Sequence, residues 1–260
     1  MTTKACSKAA VEQASVSLVI DTRQLDRICI DGPALRVKMR HKSSQWFPLR
    51  RLSRLHFIGI NQVQLSLVLL CAEQNIPVAF FKHNGQLRSK MMPPRGERAL
   101  IDHWFEHLQF DDEFRVIYRD WKQFQQQHLL ASLAIDAQHG GVKIKVINDS
   151  LRRFCQRRLG KQHYQVAKDW LIGLLGFQVQ QVIQRFGIYQ PMACETLTND
   201  LVNICEPWLL QQFATKLGCS RKFEVTPKYM SGFYQLITDR LENQLERMLF
   251  QLVNSLEAVI

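Results

Sequence analysis

Five cations crowd one short stretch of this chain. Leu151 to Lys161 reads LRRFCQRRLGK, and the spacing predicts a helix carrying Arg152, Arg153, Arg157, Arg158 and Lys161 on adjacent turns. No acidic residue lies among them. Like charges held this close repel one another, and a polyanion relieves that repulsion. Arginine outnumbers lysine in the run, and the planar guanidinium suits two-point contact with phosphate. The chemistry that fits is phosphate binding along a nucleic-acid backbone. The alternative is a solvated helix face that pairs with acids elsewhere. The whole chain favours the first: 34 Lys and Arg against 23 Asp and Glu give a net charge of +11. Charge alone does not separate DNA from RNA or from an acidic membrane surface.

Other chemistries are excluded or weak. The seven cysteines, at 6, 29, 71, 155, 194, 205 and 219, form no C-x-x-C pair and no Cys/His cluster with zinc spacing. Several sit in apolar runs, which suits reduced, mostly buried thiols in a cytoplasmic protein. No apolar run approaches membrane-spanning length. With 46% hydrophobic residues in 260, the chain can bury one large core or two modest ones.

The elements that must position the basic face divide at a proline pair. Residues 1–14 are small and polar and read as a flexible arm. Residues 15–92 read as β-rich. Strands are predicted at Leu18–Ile20, Arg27–Asp31 and Leu35–Arg40, the last alternating cleanly between apolar and basic residues. Short spacings joined by glycine turns predict an antiparallel arrangement. Leu55 to Ile58 is a further strand ending at Gly59. A helix follows over Val63–Glu73, with Leu65, Leu69 and Ala72 expected on its buried side, and Asn75 closes it. Ile76 to Phe81 is the next strand, and Asn84-Gly85 marks a hairpin. The stretch from Met91 to Gly96 is the linker candidate. From 93 to 260 the period is helical. Helices are read from Leu100 to Ala137, from Leu151, over Val166–Gly187, over Leu197–Phe213 and from Phe233 onward. Val142 to Ile147 reads equally as a short strand or a helix start, with Asn148-Asp149-Ser150 as capping residues. The stripe of Leu236, Ile237, Leu241, Leu245, Met248, Leu249, Leu252 and Leu256 reads as core. Gly173 and Gly176 either admit a close helix or mark a kink.

The order strand, helix, strand, hairpin, with Pro48, Leu49, Leu52, Leu55, Phe57, Gly59, Leu69, Leu70, Ile76, Val78, Phe80 and Gly85, resembles the CRISPR spacer-acquisition integrase family. Asn75 stands where that family usually has glycine. The resemblance implies an α+β protein: a β-rich, sandwich-like N-terminal domain making a dimer contact, followed by an all-α domain carrying DNA and the active site.

It also implies a metal site of one glutamate, one histidine and one aspartate. Asp200, in TLTNDLVNICEP, fits the aspartate. In that motif Asn203 replaces the usual acid and Glu206 the usual arginine. The histidine belongs to a loop before Asp200. Here Gly187 to Pro191 runs almost directly into Met192-Ala193-Cys194-Glu195, with no histidine. Glu195 and Cys194 are the side chains there that could approach a metal. The glutamate motif is not found. His139 or His163 could be brought in by the fold, although no spacing argues for it.

The resemblance therefore implies a divergent integrase-family protein that binds DNA as a structural subunit with a degenerate metal site. The alternative is an active metal-dependent DNA endonuclease and integrase using Mg²⁺ or Mn²⁺, with catalytic Asp200 and the metal on Asp200 and Glu195. A metal would polarise the phosphate and stabilise both the attacking and leaving oxygens, and one carboxylate alone makes a weak Mg²⁺ site. Implied partners are DNA, a second copy of the chain, and the small ferredoxin-like second protein of the adaptation complex.

Overall fold

The computed structural model describes residues 16–59, 65–93, 111–133, 144–219 and 225–258. The expected arm, the Pro94–Gly96 part of the linker, the first turns of the helix from Leu100, Gly140-Gly141 and His139 lie outside them.

Strands β1 (Val16–Asp21), β2 (Leu25–Asp31), β3 (Ala34–Met39), β4 (Gln45–Pro48) and β5 (Leu52–Ile58) precede helix α1 (Leu65–Glu73). Strands β6 (Val78–Phe81) and β7 (Leu87–Met91) complete the β-rich half. The helical half comprises α2 (Asp112–Leu133), α3 (Ile144–Leu159), α4 (Lys161–Arg185), α5 (Pro191–Cys219) and α6 (Pro227–Glu257). This is the α+β arrangement the sequence predicts, with strands in front and helices behind.

The sheets differ from expectation. One is three-stranded and antiparallel, in the order β2-β3-β4. The other has the order β1-β5-β6-β7, and β1, β5 and β6 run parallel while β7 runs antiparallel to β6. The reason is α1. A helix between neighbouring strands carries the chain back to the starting edge, so β6 must run parallel to β5.

Strand β5 is buried on both faces, and its period of two divides the core. Leu55 and Phe57, with Val78 on β6, pack toward the small sheet and α1. Ile58, with Ala79 and Phe81, joins the helical core. His56 shares that second face. Its ring meets Phe81 and Phe177 edge-on at centroid distances of 5.4 and 5.3 Å. Its Nε2 is buried with no hydrogen-bond partner among the described residues. Burial, reinforced by nearby Arg54, pushes its pKa down to about 3. The folded state therefore binds the proton more weakly than the unfolded chain does. Stability should be full above about pH 6.5 and fall as the pH drops toward 3. We expect a loss of about 1 kcal/mol by pH 5.5, read by chemical denaturation across pH. His56→Phe should flatten that slope, and an unchanged slope would assign it to other groups.

The glycine hairpin seats on α4. Gly85 has φ +91° and lies against Trp170, leaving no room for a side chain. A Cβ on Gly173 would come within 2.7 Å of the Gly85 carbonyl oxygen. Gly173 thus receives a β-hairpin rather than a helix. Asn75 adopts φ 55°, the left-handed conformation that ends helices, which asparagine tolerates better than most residues. This explains how it fills a glycine position.

Helix α1 buries Leu67 and Cys71, not the expected Leu65 and Leu69, which are 71% and 54% exposed. Nearly every position is apolar, so periodicity could not choose the face. In α6 the predicted stripe is core from Leu241 to Leu256, while Leu236 is exposed. The ambiguous Val142–Ile147 stretch is helical from Ile144, and Asn148, Asp149 and Ser150 lie inside α3 rather than capping it.

Candidate functional site

The basic stretch straddles two helices. Helix α3 ends at Leu159, and Gly160, at φ 79°, turns the chain so that Lys161 opens α4. At about 100° per residue, Leu151, Cys155 and Leu159 share the inward side, with Cys155 fully buried. Arg153 and Arg157 project from the opposite side, and Arg152 flanks them. All three are exposed, as is Lys161. Arg153 is steadied by donating from Nε to the Asp149 carbonyl at 3.1 Å. Arg158 borders the buried side and donates to the Leu217 carbonyl oxygen near the end of α5 at 3.1 Å. It clips α3 to α5, while the other four cations face solvent.

Asp200 sits in α5 facing α2. Lys122 donates to its Oδ1 at 2.5 Å, and the Tyr118 hydroxyl donates to its Oδ2 at 2.9 Å. The Asp200 side chain is 13% exposed. Tyr118 and Lys122 are four residues apart, so one face of α2 supplies both donors. Burial, together with the Asp200 charge and hydrogen bond, raises the Tyr118 pKa well above its ordinary value and keeps the phenol a donor.

Glu195 does not join it. Five residues along one helix place the two side chains about 140° apart. Glu195 is exposed and lines a different cavity, of about 480 Å³, with Lys90, Cys194, Thr198 and Asn199. Cys194 donates its thiol to the Ile188 carbonyl at 3.2 Å. His163 is exposed in the first turn of α4. Glu206 pairs with Lys168 of α4 at 2.8 Å. No group of three His, Cys, Asp or Glu side chains able to hold a metal occurs among the described residues. The donor set around Asp200 does not fit a divalent cation: its two oxygens already face an ammonium and a hydroxyl.

The sequence reading missed Lys122 and placed Tyr118 with the core aromatics. The only available signal was their four-residue spacing. It also missed a buried polar network where β5 meets the helices. Arg54 of β5 donates to Gln178 Oε1 of α4 and lies 3.6 Å from Glu242 of α6. Gln178 donates to Glu242 Oε2 at 2.7 Å, and Arg185 pairs with Glu242 and with Glu246.

The five described cysteines whose state is resolved are free thiols. Burial raises Cys71 and Cys155 to about 11 and Cys205 to about 12, so none of these three is a ready nucleophile. No described helix is long and apolar enough to cross a membrane.

Residues 18–118 match the family model described as CRISPR associated protein Cas1. The β-rich half of the chain is therefore similar to the Cas1 family. None of the curated proteins matches it by sequence. Solved structures extend the likeness over the helical half as a likeness of fold. A Cas1 protein from Thermotoga maritima superposes with a TM-score of 0.66 at 10% identity, covering 92% of this chain and 94% of its own. A casposase bound to its integration product gives 0.57 at 12% identity, covering 90% and 83%. A Cas6-RT-Cas1–Cas2 complex gives 0.55 at 16% identity, covering 94% of this chain and 35% of that one. The chain thus shares the two-part fold of these proteins, with Lys122 and Tyr118 closed onto Asp200.

Proposed function

We propose that this chain is a Cas1-family protein, a DNA-binding structural subunit of a cytoplasmic CRISPR adaptation complex, and that its metal position is degenerate. The observation that carries the reading is the closed Asp200 carboxylate. An ammonium neutralises it where strand transfer would require a divalent cation to bridge protein and phosphate. The exposed arginines of α3, with Lys161, support the DNA contact. Val68, Leu65 and Leu69 leave an apolar stripe on α1 that supports pairing with a second copy. Resemblance makes the small ferredoxin-like second Cas protein the further partner.

The deciding experiment is cleavage and strand transfer on branched DNA with Mg²⁺ or Mn²⁺, using wild type and Asp200→Ala. Binding without product in both is the expected result. Metal-dependent product that disappears in the variant would establish an active endonuclease and integrase instead. For the DNA face, Arg152→Ala, Arg153→Ala and Arg157→Ala combined should weaken duplex binding at least about tenfold. The weakening should be similar for all sequences, and the salt slope should fall by about 3. An unchanged slope in anisotropy titrations would place the phosphate contacts elsewhere.

A further inference from the structure

The outward face of the small sheet carries a second basic surface. Strand β3 alternates strictly: Leu35 and Val37 are buried, while Arg36 and Lys38 are exposed. Register then sets their neighbours. Arg27 lies directly across from Lys38, and Trp46 directly across from Arg36. Arg40 continues the outward parity just beyond β3 and is exposed. Alternate residues on a strand stand about 6.7 Å apart, so Arg36, Lys38 and Arg40 form a row.

Trp46 is 52% exposed on this face, although tryptophan is ordinarily well buried. It is held in place from two sides. Its indole N–H donates to Asp31 Oδ2 at 2.8 Å, and the Arg36 guanidinium lies over the ring at 5.1 Å. Asp26 pairs with Lys38 at 2.9 Å. The hydrogen bond from Lys38, with the fields of Arg40 and Arg27, holds the Asp26 carboxyl below its ordinary value. Three cations therefore surround one acid, and the face keeps an excess of positive charge around an oriented, open aromatic ring.

We propose that this sheet face binds single-stranded DNA, with one base stacked on Trp46 and the flanking phosphates held by Arg27, Lys38 and Arg40. An open ring among cations is the arrangement that grips unpaired bases without sequence preference. A duplex keeps its bases stacked inside and offers such a ring nothing but backbone. The inference rests on the chain binding DNA, and it separates the single-strand contact from the α3 face that takes duplex phosphates.

The test uses the full chain and two labelled probes of equal length, an oligo-dT strand and a blunt duplex, titrated by fluorescence anisotropy. Trp46→Ala should weaken oligo-dT binding at least fivefold and leave duplex binding within twofold. Trp46→Phe should recover most of the loss, because stacking needs a ring. Lys38→Glu with Arg40→Glu should weaken oligo-dT binding without depending on the ring at all. Unchanged oligo-dT affinity in these variants, with duplex binding intact, would overturn the proposal and leave the α3 reading standing. Wild type that binds neither probe would overturn both. Loss of dimer by light scattering in Trp46→Ala, with oligo-dT affinity unchanged, would assign the face to a second copy and overturn it as well.

Discussion

Glu242→Ala is expected to lower the unfolding free energy by about 3–5 kcal/mol, the largest single loss of any substitution considered. Glu242 is the shared anion of the joint between the sheet and the helices. It lies 3.6 Å from Arg54, accepts from Gln178 at 2.7 Å and pairs with Arg185. Arg54 is 8% exposed, and burial pulls its guanidinium below the ordinary arginine value, with Glu242 among the groups opposing that pull. Removing the carboxylate would leave this cation buried without its anion, and Gln178 without an acceptor. Uncompensated charge in the interior is what makes such truncations costly, even where the intact pair contributes little net stability. Glu242→Gln keeps the shape and one acceptor, so it should lose roughly half as much. Urea unfolding of wild type and the two variants measures both. A loss below about 1 kcal/mol for the alanine variant would mean that Arg185 and Arg54 find other partners and that the joint is held by apolar packing alone.

Asp200→Ala is expected to cost about 2–3 kcal/mol while changing no metal-dependent property. The loss has two sources. Tyr118 is largely buried and its hydroxyl would lose this acceptor, and the Lys122 ammonium would lose the carboxylate it pairs with. The lysine side chain is 35% exposed, so water compensates part of its loss, and the expectation sits below that for Glu242. A double-mutant cycle with Lys122→Met and Asp200→Asn should give a coupling of about 1–2 kcal/mol. Isothermal titration with Mn²⁺ should give the same weak or absent binding for wild type and Asp200→Ala. A specific Mn²⁺ site in wild type that vanishes in the variant would mean that the cation displaces Lys122, and the structural reading of Asp200 would fail.

Much of the β-rich half was legible because its signals are local. The apolar runs at Leu55–Ile58 and Val78–Phe81, the asparagine that closes α1 and the Asn84-Gly85 turn each act within a few residues. Alternation in Leu35–Met39 likewise told which side chains face water. The helical period past the linker prolines announced helices, and among the described residues strands end at Met91 and helices resume at Asp112. Net charge and the arginine run are grounds for expecting a polyanion that need no fold at all.

What the sequence alone could not decide depends on which distant segments meet. Periodicity gave no preference between the two apolar faces of α1, and packing against the sheet selected Leu67 and Cys71. Parallel pairing of β1 with β5 joins strands separated along the chain by three others, β2, β3 and β4, so only the assembled sheet reveals it. Gly173 reads in the sequence as either a close helix approach or a kink, and the Gly85 hairpin that in fact fills it comes from the other half of the chain. A local motif singles out Asp200 in the sequence, but the motif says nothing of what surrounds it. Tyr118 and Lys122 lie 82 and 78 residues earlier, and only helix packing brings their donors to its two oxygens. The residue types and their local order determined most of the elements and carried the resemblance to the Cas1 family model. Tertiary packing alone decided what faces the Asp200 carboxylate, because the ammonium and the phenol that meet it come from a neighbouring helix.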